Sequence, residues 1–270
     1  MKINPTPGIQ EEYDDLTDEL AGNTYEPRKA VCAFAGIDER LMHSILPIHP
    51  MAALLLKYIS SEFAANQRSM FNFIKTEDAD KLQAFQWFIK NKSPENGDIL
   101  TIDYLWNFFY EAGTDENTTA TGKSNLDIRI AQILDSYALC EAKLSSLEEK
   151  RVLKTVLMMQ AISKKLNNGV ELLRPTEKNI TLAFCGDDDL DNGMAINIIK
   201  NKLLPNNIIL KDTNGRVEEY GAYVIMGDQS KINAIKEELR QTVKTTKLVK
   251  DSALLILLLQ TAKLKKQRSC

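Results

Sequence analysis

The sequence predicts a mainly α-helical protein in which a helical bundle is followed by a winged-helix-like domain with a β-hairpin. Two observations lead to this fold class. Apolar residues recur at helical spacing through much of residues 43–144, which is typical of helices that pack together. After residue 145, three further helical segments precede two runs of strand-forming residues around Asn214-Gly215, a dipeptide that favours a hairpin turn. Three helices followed by a hairpin are the order of elements in a winged helix.

The helical bundle is predicted over residues 43–144. Its first helix begins at Pro50, because the first turn of a helix tolerates proline. Asp78 opens another helix, and the aromatic-rich run from Ile102 to Tyr110 predicts a short buried one. Residues 113–124 lack large apolar side chains and are predicted to form a loop, whose last residue caps the final helix of the bundle.

The winged-helix-like domain is predicted over residues 145–240. Ser146 and Glu149 have the spacing of a capping box at the start of its first helix, and Gly169 is typical of the residue that ends one. The remaining predicted elements are helices over 176–184 and 191–204 and strands over 208–211 and 219–225.

Two charged segments flank these domains: an acidic leader over residues 1–42 and a basic C-terminal helix over residues 241–270. The C-terminal segment contains the apolar run Ala253–Leu259, which is far shorter than the ~20 residues that span a bilayer. We therefore expect no membrane partner, and we expect this apolar helix to contact the rest of the chain, a missing neighbour or a second copy.

Composition places the chain in an ordinary class. It has 270 residues, of which 44% are hydrophobic and 26% charged, as in soluble globular proteins. Its four cysteines form no CxxC pair, so neither a disulfide framework nor a zinc site is indicated. The polar residues 1–8 lack the apolar core of a signal peptide, and a cytoplasmic location is expected.

Two sequence fragments suggest ligand sites but do not complete them. Thr121-Gly-Lys-Ser124 looks like the end of a phosphate-binding P-loop, but Asn117 stands where that loop requires glycine. Asp187-Asp-Asp-Leu-Asp191 resembles the start of a calcium loop, but Asn192 and Ile198 replace the required glycine and glutamate. The simpler interpretation of these carboxylates is that they complement the exposed amides and positive dipole end at a helix start.

No catalytic constellation is visible in the sequence. The only histidines, His43 and His49, have no Cys, Asp or Glu at metal-ligand spacing, and His49 is interpreted as a capping or core-edge residue. No recognised nucleophile motif is present. The chain is therefore expected not to be an enzyme and to hold no metal or cofactor of its own.

Nucleic-acid binding remains an alternative. Lys200 and Lys202 on the third helix of the second domain, with Lys211 and Arg216 on the hairpin, are the residues that would contact DNA. The acidic run 187–191 would face the same phosphates and oppose binding. Charge in this region therefore favours a protein partner over DNA.

Several stretches of this sequence resemble large bacterial P-loop ATPases of the AAA/STAND-like kind, often encoded near phage-defence genes. His49-Pro50-Met-Ala-Ala-Leu-Leu-Leu and Phe63-Ala-Ala-Asn-Gln-Arg-Ser-Met-Phe-Asn-Phe-Ile74 are similar to the segment that follows their ATPase core. Glu149-Lys-Arg-Val-Leu-Lys-Thr-Val156 and Tyr220-Gly-Ala-Tyr-Val-Ile-Met-Gly227 resemble the winged-helix part that follows it. The likeness spans residues 43–239.

The resemblance implies a role beside an ATPase rather than an ATPase itself, because a full P-loop and the sheet that carries it are missing from this sequence. The chain would be a carboxyl-terminal piece or a truncated relative, and ATP would be held by a core supplied in cis or in trans. A helical lid in such proteins often offers an arginine to the nucleotide, which implies a nucleotide-sensing role for Arg68 and its neighbour Asn66. The alternative for Arg68 is helix packing or capping.

The functional expectation is a non-catalytic regulatory or interaction segment that couples an ATPase core to a partner or to nucleic acid. The alternative is a stand-alone winged-helix regulator that binds DNA. Fold alone does not distinguish the two.

Overall fold

The computed structural model of this chain describes residues 10–62, 70–76, 83–110, 128–212 and 217–222. These residues are mainly helical, and two short strands form a small antiparallel sheet, so the coarse fold class is confirmed. Packing divides the chain into two units, Met1–Val224 and Ile225–Cys270, and every described residue belongs to the first. The helix predicted over 241–270 lies outside the described residues.

The described elements follow one another with short connections. The α-helices are α1 (Gln10–Asn23), α2 (Tyr25–Ala35), α3 (Glu39–His43), α4 (Pro50–Glu62), α5 (Met70–Lys75), α6 (Phe85–Asn91), α7 (Leu105–Phe109), α8 (Ile128–Cys140), α9 (Leu147–Lys165), α10 (Glu177–Ala183) and α11 (Met194–Ile198). The strands are β1 (Leu210–Asp212) and β2 (Glu219–Gly221), paired with Lys211 opposite Tyr220. Within the ranges described above, no helix is both long and apolar enough to cross a membrane.

The acidic leader is helical from residue 10 onwards. Its second helix, α2, buries Val31 and Cys32 against the main core, while Leu20 and Ala21 of α1 join a smaller apolar cluster. Asp38 then caps α3 by accepting a hydrogen bond from the Arg40 N–H at 2.7 Å. The leader therefore packs onto the same unit as the helices that follow it.

Helix α9 is the central element of the unit. Nearly all of its residues from Arg151 to Ser163 are buried, and it contacts α4, α8, α11 and β2. The predicted capping box is present in part: the Ser146 hydroxyl accepts a hydrogen bond from the Glu149 N–H at 3.2 Å. The Glu149 carboxylate reaches back one residue further than the usual box, to the Ser145 N–H and hydroxyl.

One apolar core runs through both predicted domains. It extends from Val31 to Ala222 and includes the aromatic side chains of Phe73, Trp106 and Phe184, all of which are fully buried. Side chains from both sides of residues 144 and 145 therefore pack in one core. The domain boundary that the sequence predicts there stays a prediction.

The elements that follow α10 differ in detail from the prediction. The helix expected over 191–204 begins at Met194, because Asn192 and Gly193 have positive φ angles of 52° and 83° that a helix cannot include. It changes at Ile199 into a π-helical turn. The first strand begins at Leu210 rather than at residue 208, because the Ile208 N–H still donates to the Leu203 carbonyl at 2.9 Å. Ile208 and Ile209 are buried in the core.

Strand β2 is held along both edges. One edge pairs with β1, and on the other the Tyr220 N–H donates to the Pro175 carbonyl at 2.8 Å. Just beyond the strand, the Gln160 carboxamide accepts from the Ala222 N–H at 2.9 Å and donates to the Ala222 carbonyl at 3.1 Å. A glycine at position 221 leaves room for this contact, because a Cβ there would lie 2.5 Å from Gln160 Cδ.

Gly221→Ala is expected to destabilise the protein by about 2 kcal/mol, because Gln160 can move away only by giving up both bonds to Ala222. Gly22→Ala is the matched control, since a Cβ at that position in α1 meets nothing within 4 Å. It should leave stability unchanged or raise it by up to about 1 kcal/mol. Urea unfolding of both variants measures the difference, and equal effects would contradict the proposed packing.

Candidate functional site

The most strongly interacting polar cluster of the described residues surrounds Arg151. Its guanidinium donates from Nε to Asp103 Oδ2 at 2.9 Å and from Nη1 to Asp187 Oδ1 at 3.2 Å. Nη2 binds both the second oxygen of Asp187 and the Thr101 hydroxyl, the latter at 3.2 Å. The guanidinium also lies 5.6 Å from the centre of the Tyr104 ring. We call these five residues the Arg151 network.

Three separate parts of the chain build the Arg151 network. Helix α9 places Arg151 in its first turns, and the 3-10 turn Ile102–Tyr104 places Asp103. The turn that follows α10 places Asp187, which also accepts the N–H groups of Asp189 and Leu190 through Oδ1. The network therefore joins segments that lie 36 and 48 residues from Arg151 in the chain.

Charge compensation makes this buried arginine stable. Burial disfavours the charged guanidinium, but the carboxylates of Asp103 and Asp187 outweigh that cost and raise the pKa of Arg151 above its usual value. The side chains of Arg151, Asp103 and Asp187 are 11%, 6% and 8% exposed, so solvent screens these contacts little. Such an arrangement stabilises the fold. It also engages the Nε, Nη1 and Nη2 donors of Arg151 within the protein.

His49 forms a second buried polar contact nearby. Its Nδ1 accepts a hydrogen bond from the Met51 N–H at 3.1 Å, which caps α4 as predicted, and its Nε2 donates to the Cys185 carbonyl at 3.0 Å. The ring is fully buried rather than at the core edge. Burial lowers the pKa of His49 to about 4, so the ring is neutral at pH 7 and both nitrogens serve structure.

The prediction for Asp187 is wrong in one respect. Asp187 is buried and turned towards Arg151, so it does not belong to a surface row of carboxylates that would repel phosphates. Asp188 and Asp189 are exposed. The desolvation cost of Arg151 explains the difference, since a buried guanidinium needs carboxylate partners from wherever the chain can bring them.

The structure places only part of the predicted ligand-contact residues. Asn66, Arg68 and Arg216 lie outside the described residues, as does the Thr121–Ser124 fragment, so their roles stay predictions. Lys200 lies on the π-helical turn and donates to Glu177 at 2.8 Å, and Lys202 is exposed on the same turn. Lys211 forms an ion pair with Glu218 at 2.5 Å across the hairpin. Lys200 and Lys211 are thus each paired with a carboxylate, and both lower the pKa of Glu177, Lys200 more than Lys211.

The surface of the described residues also carries exposed apolar side chains. Phe34 at the end of α2, Ile37 in the following turn and Leu41 in α3 are 41%, 38% and 62% exposed. We call these three residues the apolar corner. Val31 and Met42 of the same helices are buried, so the corner is anchored on one side and presents apolar groups on the other.

Among the described residues, no group of three His, Cys, Asp or Glu side chains is arranged to hold a metal ion. Two of the buried carboxylates, Asp103 and Asp187, are bound to Arg151. These carboxylates therefore form ion pairs that stabilise the fold.

Sequence reasoning missed the Arg151 network. The available signal was a charged residue directly before residues 152–162, of which eight are apolar. Its partners lie far away in the chain, and Asp103 was interpreted as part of an aromatic helix. Gln160 in the same helix was missed for the same reason.

Arg151→Met is expected to destabilise the protein by about 3–5 kcal/mol, because it leaves Asp103 and Asp187 buried without a compensating charge. The adjacent Lys150→Met is the control: Lys150 pairs with Glu141 at 3.3 Å on the surface, where such a pair contributes at most about 1 kcal/mol. Chemical denaturation of both variants makes the comparison. If both variants lose a similar amount of unfolding free energy, the Arg151 network does not stabilise the protein more than the surface pair of Lys150 and Glu141.

His49 is expected to make stability depend on pH. Its pKa falls from 6.5 in the unfolded chain to about 4 in the folded one, so between these values the unfolded state binds the extra proton and stability is lost as the pH decreases. Proton uptake by His49 in the unfolded state should lower the free energy of unfolding by about 2 kcal/mol between pH 7 and pH 5. His49→Gln keeps a donor and an acceptor but cannot titrate there.

The measurement is the free energy of unfolding at pH 7 and pH 5 for the wild type, His49→Gln and the control His43→Gln. The wild type and the His43 variant should lose more stability at pH 5 than the His49 variant, since His43 is half-exposed and pairs with Asp18 on the surface. If all three proteins lose the same amount, His49 is not the titrating group.

Comparisons with known proteins provide no further constraint. A scan against protein-family models, a search of curated proteins and a search of solved structures each return no match to this chain. The functional conclusion therefore rests on the residues and on their geometry.

Proposed function

We propose that this chain is a non-catalytic regulatory or interaction segment, which couples a P-loop ATPase core, supplied in cis or in trans, to a partner or to nucleic acid. Any ATP would be bound by that core. The resemblance over residues 43–239 suggests the ATPase, and the described geometry supports the interaction role. The observation that carries the proposal is the apolar corner formed by Phe34, Ile37 and Leu41.

The apolar corner has the properties of a contact surface. Its three side chains lie within eight consecutive residues and are each exposed, and exposed apolar groups can mark contact sites. The charged residues Asp38 and Arg40 lie between these side chains in the chain and are also exposed. The helices beneath it join the main core through Val31 and Met42, so the corner is presented on a firm base.

We also propose that residues 145–240 form a winged-helix-like domain, of which residues 145–212 and 217–222 are described. Helices α9, α10 and α11 precede the β1–β2 hairpin, which is the order of elements that such a unit requires. Tyr220 ties the hairpin to the helices through Pro175 and through a hydroxyl bond to Glu177 at 3.2 Å. In an ATPase assembly this unit would transmit motion from the core to its partner.

The alternative is a stand-alone winged-helix regulator that binds DNA. Lys202 is exposed and supports it, but Lys200 and Lys211 are paired with Glu177 and Glu218, which reduces the positive potential of this face. The apolar corner favours a protein partner because DNA offers it little apolar surface. The coupling role is therefore preferred.

The test uses the isolated ATPase core of a protein from the resembled group, with this chain added in trans. We expect the chain to change the rate of ATP hydrolysis several-fold and to comigrate with the core in gel filtration. Leu41→Lys should abolish both effects because it places a charge in the apolar corner. Leu139→Lys, which alters an 81% exposed leucine on α8, is the matched control and should not.

Absence of comigration and of any rate change would reject the coupling role. Equal effects of the Leu41 and Leu139 variants would reject the apolar corner as the contact. Salt-sensitive binding of duplex DNA by the unaltered chain, with no effect on the ATPase, would favour the stand-alone regulator.

A further inference from the structure

Helices α5 and α6 form a packed pair that presents apolar side chains to solvent. Gln86 Nε2, near the start of α6, donates to the Ile74 carbonyl near the end of α5 at 2.9 Å. Met70 and Phe71 of α5 are 46% and 67% exposed, and Ile89 of α6 is 44% exposed. Exposed apolar groups of this size can mark a contact site on a soluble protein.

The opposite side of each helix is fixed to the core. Phe73 of α5 is fully buried, and its ring centre lies 5.4 and 5.7 Å from those of Phe108 and Phe109 in α7. Phe85 and Phe88 of α6 are buried in the same core. Because both helices direct phenylalanines inwards and pack against each other, their exposed side chains lie on the outer side of the pair.

This outer side is positively charged. Each helix contributes one exposed lysine, Lys75 or Lys90, and neither helix contains an aspartate or a glutamate. Lys75 Nζ lies 5.6 Å from the centre of the Phe71 ring, which holds the charge beside an apolar group. In the described parts of the chain no carboxylate pairs with either lysine, whereas Lys92, just beyond α6, is paired with Asp98 at 3.0 Å.

We propose that the surface formed by Met70, Phe71, Lys75, Ile89 and Lys90, which we call the α5–α6 face, is a docking site for an acidic segment of a partner protein that carries large apolar side chains. The apolar side chains of the partner would cover those of the face, and its carboxylates would pair with the two lysines. Methionine and aromatic residues are enriched in protein interfaces, and charge complementarity selects the partner. The face belongs to other elements than the apolar corner and does not depend on an ATPase core.

Charge complementarity identifies the occupant. A basic partner would place like charges against Lys75 and Lys90, which no carboxylate on either helix compensates. An acidic partner gains ion pairs there without breaking one. A single-stranded nucleic acid is also negative, but its bases stack on aromatic rings, and two of the three exposed apolar side chains of the face are not aromatic.

The test is a selection of short random peptides, displayed on phage, against the full chain, in which the net charge of the enriched peptides is read. The same selection is made on the double variant Lys75→Glu with Lys90→Glu, which reverses the charge of the face. The control is Lys143→Glu with Lys178→Glu, which changes the net charge equally at two exposed lysines of other elements.

We expect the wild type and the control variant to enrich acidic peptides with large apolar side chains, and the Lys75 and Lys90 double variant to enrich basic ones. A synthetic peptide from the wild-type selection should bind that double variant about ten-fold more weakly, because surface ion pairs are replaced by repulsive contacts. Phe71→Ala should weaken the peptide as well. Leu41→Lys, in the apolar corner, should leave its affinity unchanged.

Any of three results in the selections would overturn the proposal: no enrichment of peptides, a preference for acidic peptides that persists in the Lys75 and Lys90 double variant, or the same loss of that preference in the control variant. Binding that Leu41→Lys removes and Phe71→Ala does not would assign the contact to the apolar corner, so it would reject this proposal and support the proposed function alone. Binding of a single-stranded oligonucleotide in the absence of peptide enrichment would assign the face to nucleic acid and reject the proposal too. The substituted side chains are all exposed, and thermal melting verifies that each variant folds.

Discussion

The compensation of Arg151 is the constraint on which the rest of this unit depends. A largely buried guanidinium is tolerated only if carboxylates reach it, and here they come from residues 36 and 48 positions away in the chain. Meeting that requirement brings the turn after α10 and the turn before α7 against the same helix. The apolar surfaces of these segments are then positioned to pack around Trp106 and Phe184.

The same principle applies at three further positions of α9, although the buried Thr155 hydroxyl has no hydrogen-bond partner among the described residues. Glu149, Gln160 and Ser163 are polar and buried, and each binds a defined partner: Ser145, Ala222 and Asn168. Each bond fixes one neighbouring segment, because a buried polar group without a partner costs free energy. The polar side chains of α9 thus fix the positions of neighbouring segments, while its apolar side chains pack in the core.

Buried charges and exposed apolar side chains occupy different parts of this unit. The charges of the Arg151 network are buried and hold segments of the chain together. The side chains of the apolar corner on α2 and α3 are exposed to solvent.

Local patterns in the sequence determined much of the helical framework. The start of α4 at Pro50, the Ser146 cap of α9, the Thr176 cap of α10 and the pairing of two strands on either side of residues 213–216 all follow from neighbouring residues. The late start of α11 at Met194 and the burial of Ile208 were not predicted, because left-handed backbone and core packing overrode the local pattern. Capping and periodicity act within one or two turns, so the sequence shows them directly.

The partners of the buried charges were decided by tertiary structure alone. Nothing near Arg151 in the chain identifies Asp103 and Asp187 as its ligands, nothing near Gln160 indicates Ala222, and Glu219 gives no sign that Arg174 and Lys164 meet it. The physical reason is that a buried charge is satisfied by whichever opposite charge the packed chain brings within a few ångströms, and sequence distance has no part in that choice. The sequence by itself determined most of the helices and several of their caps, and the fold decided which polar groups hold them together.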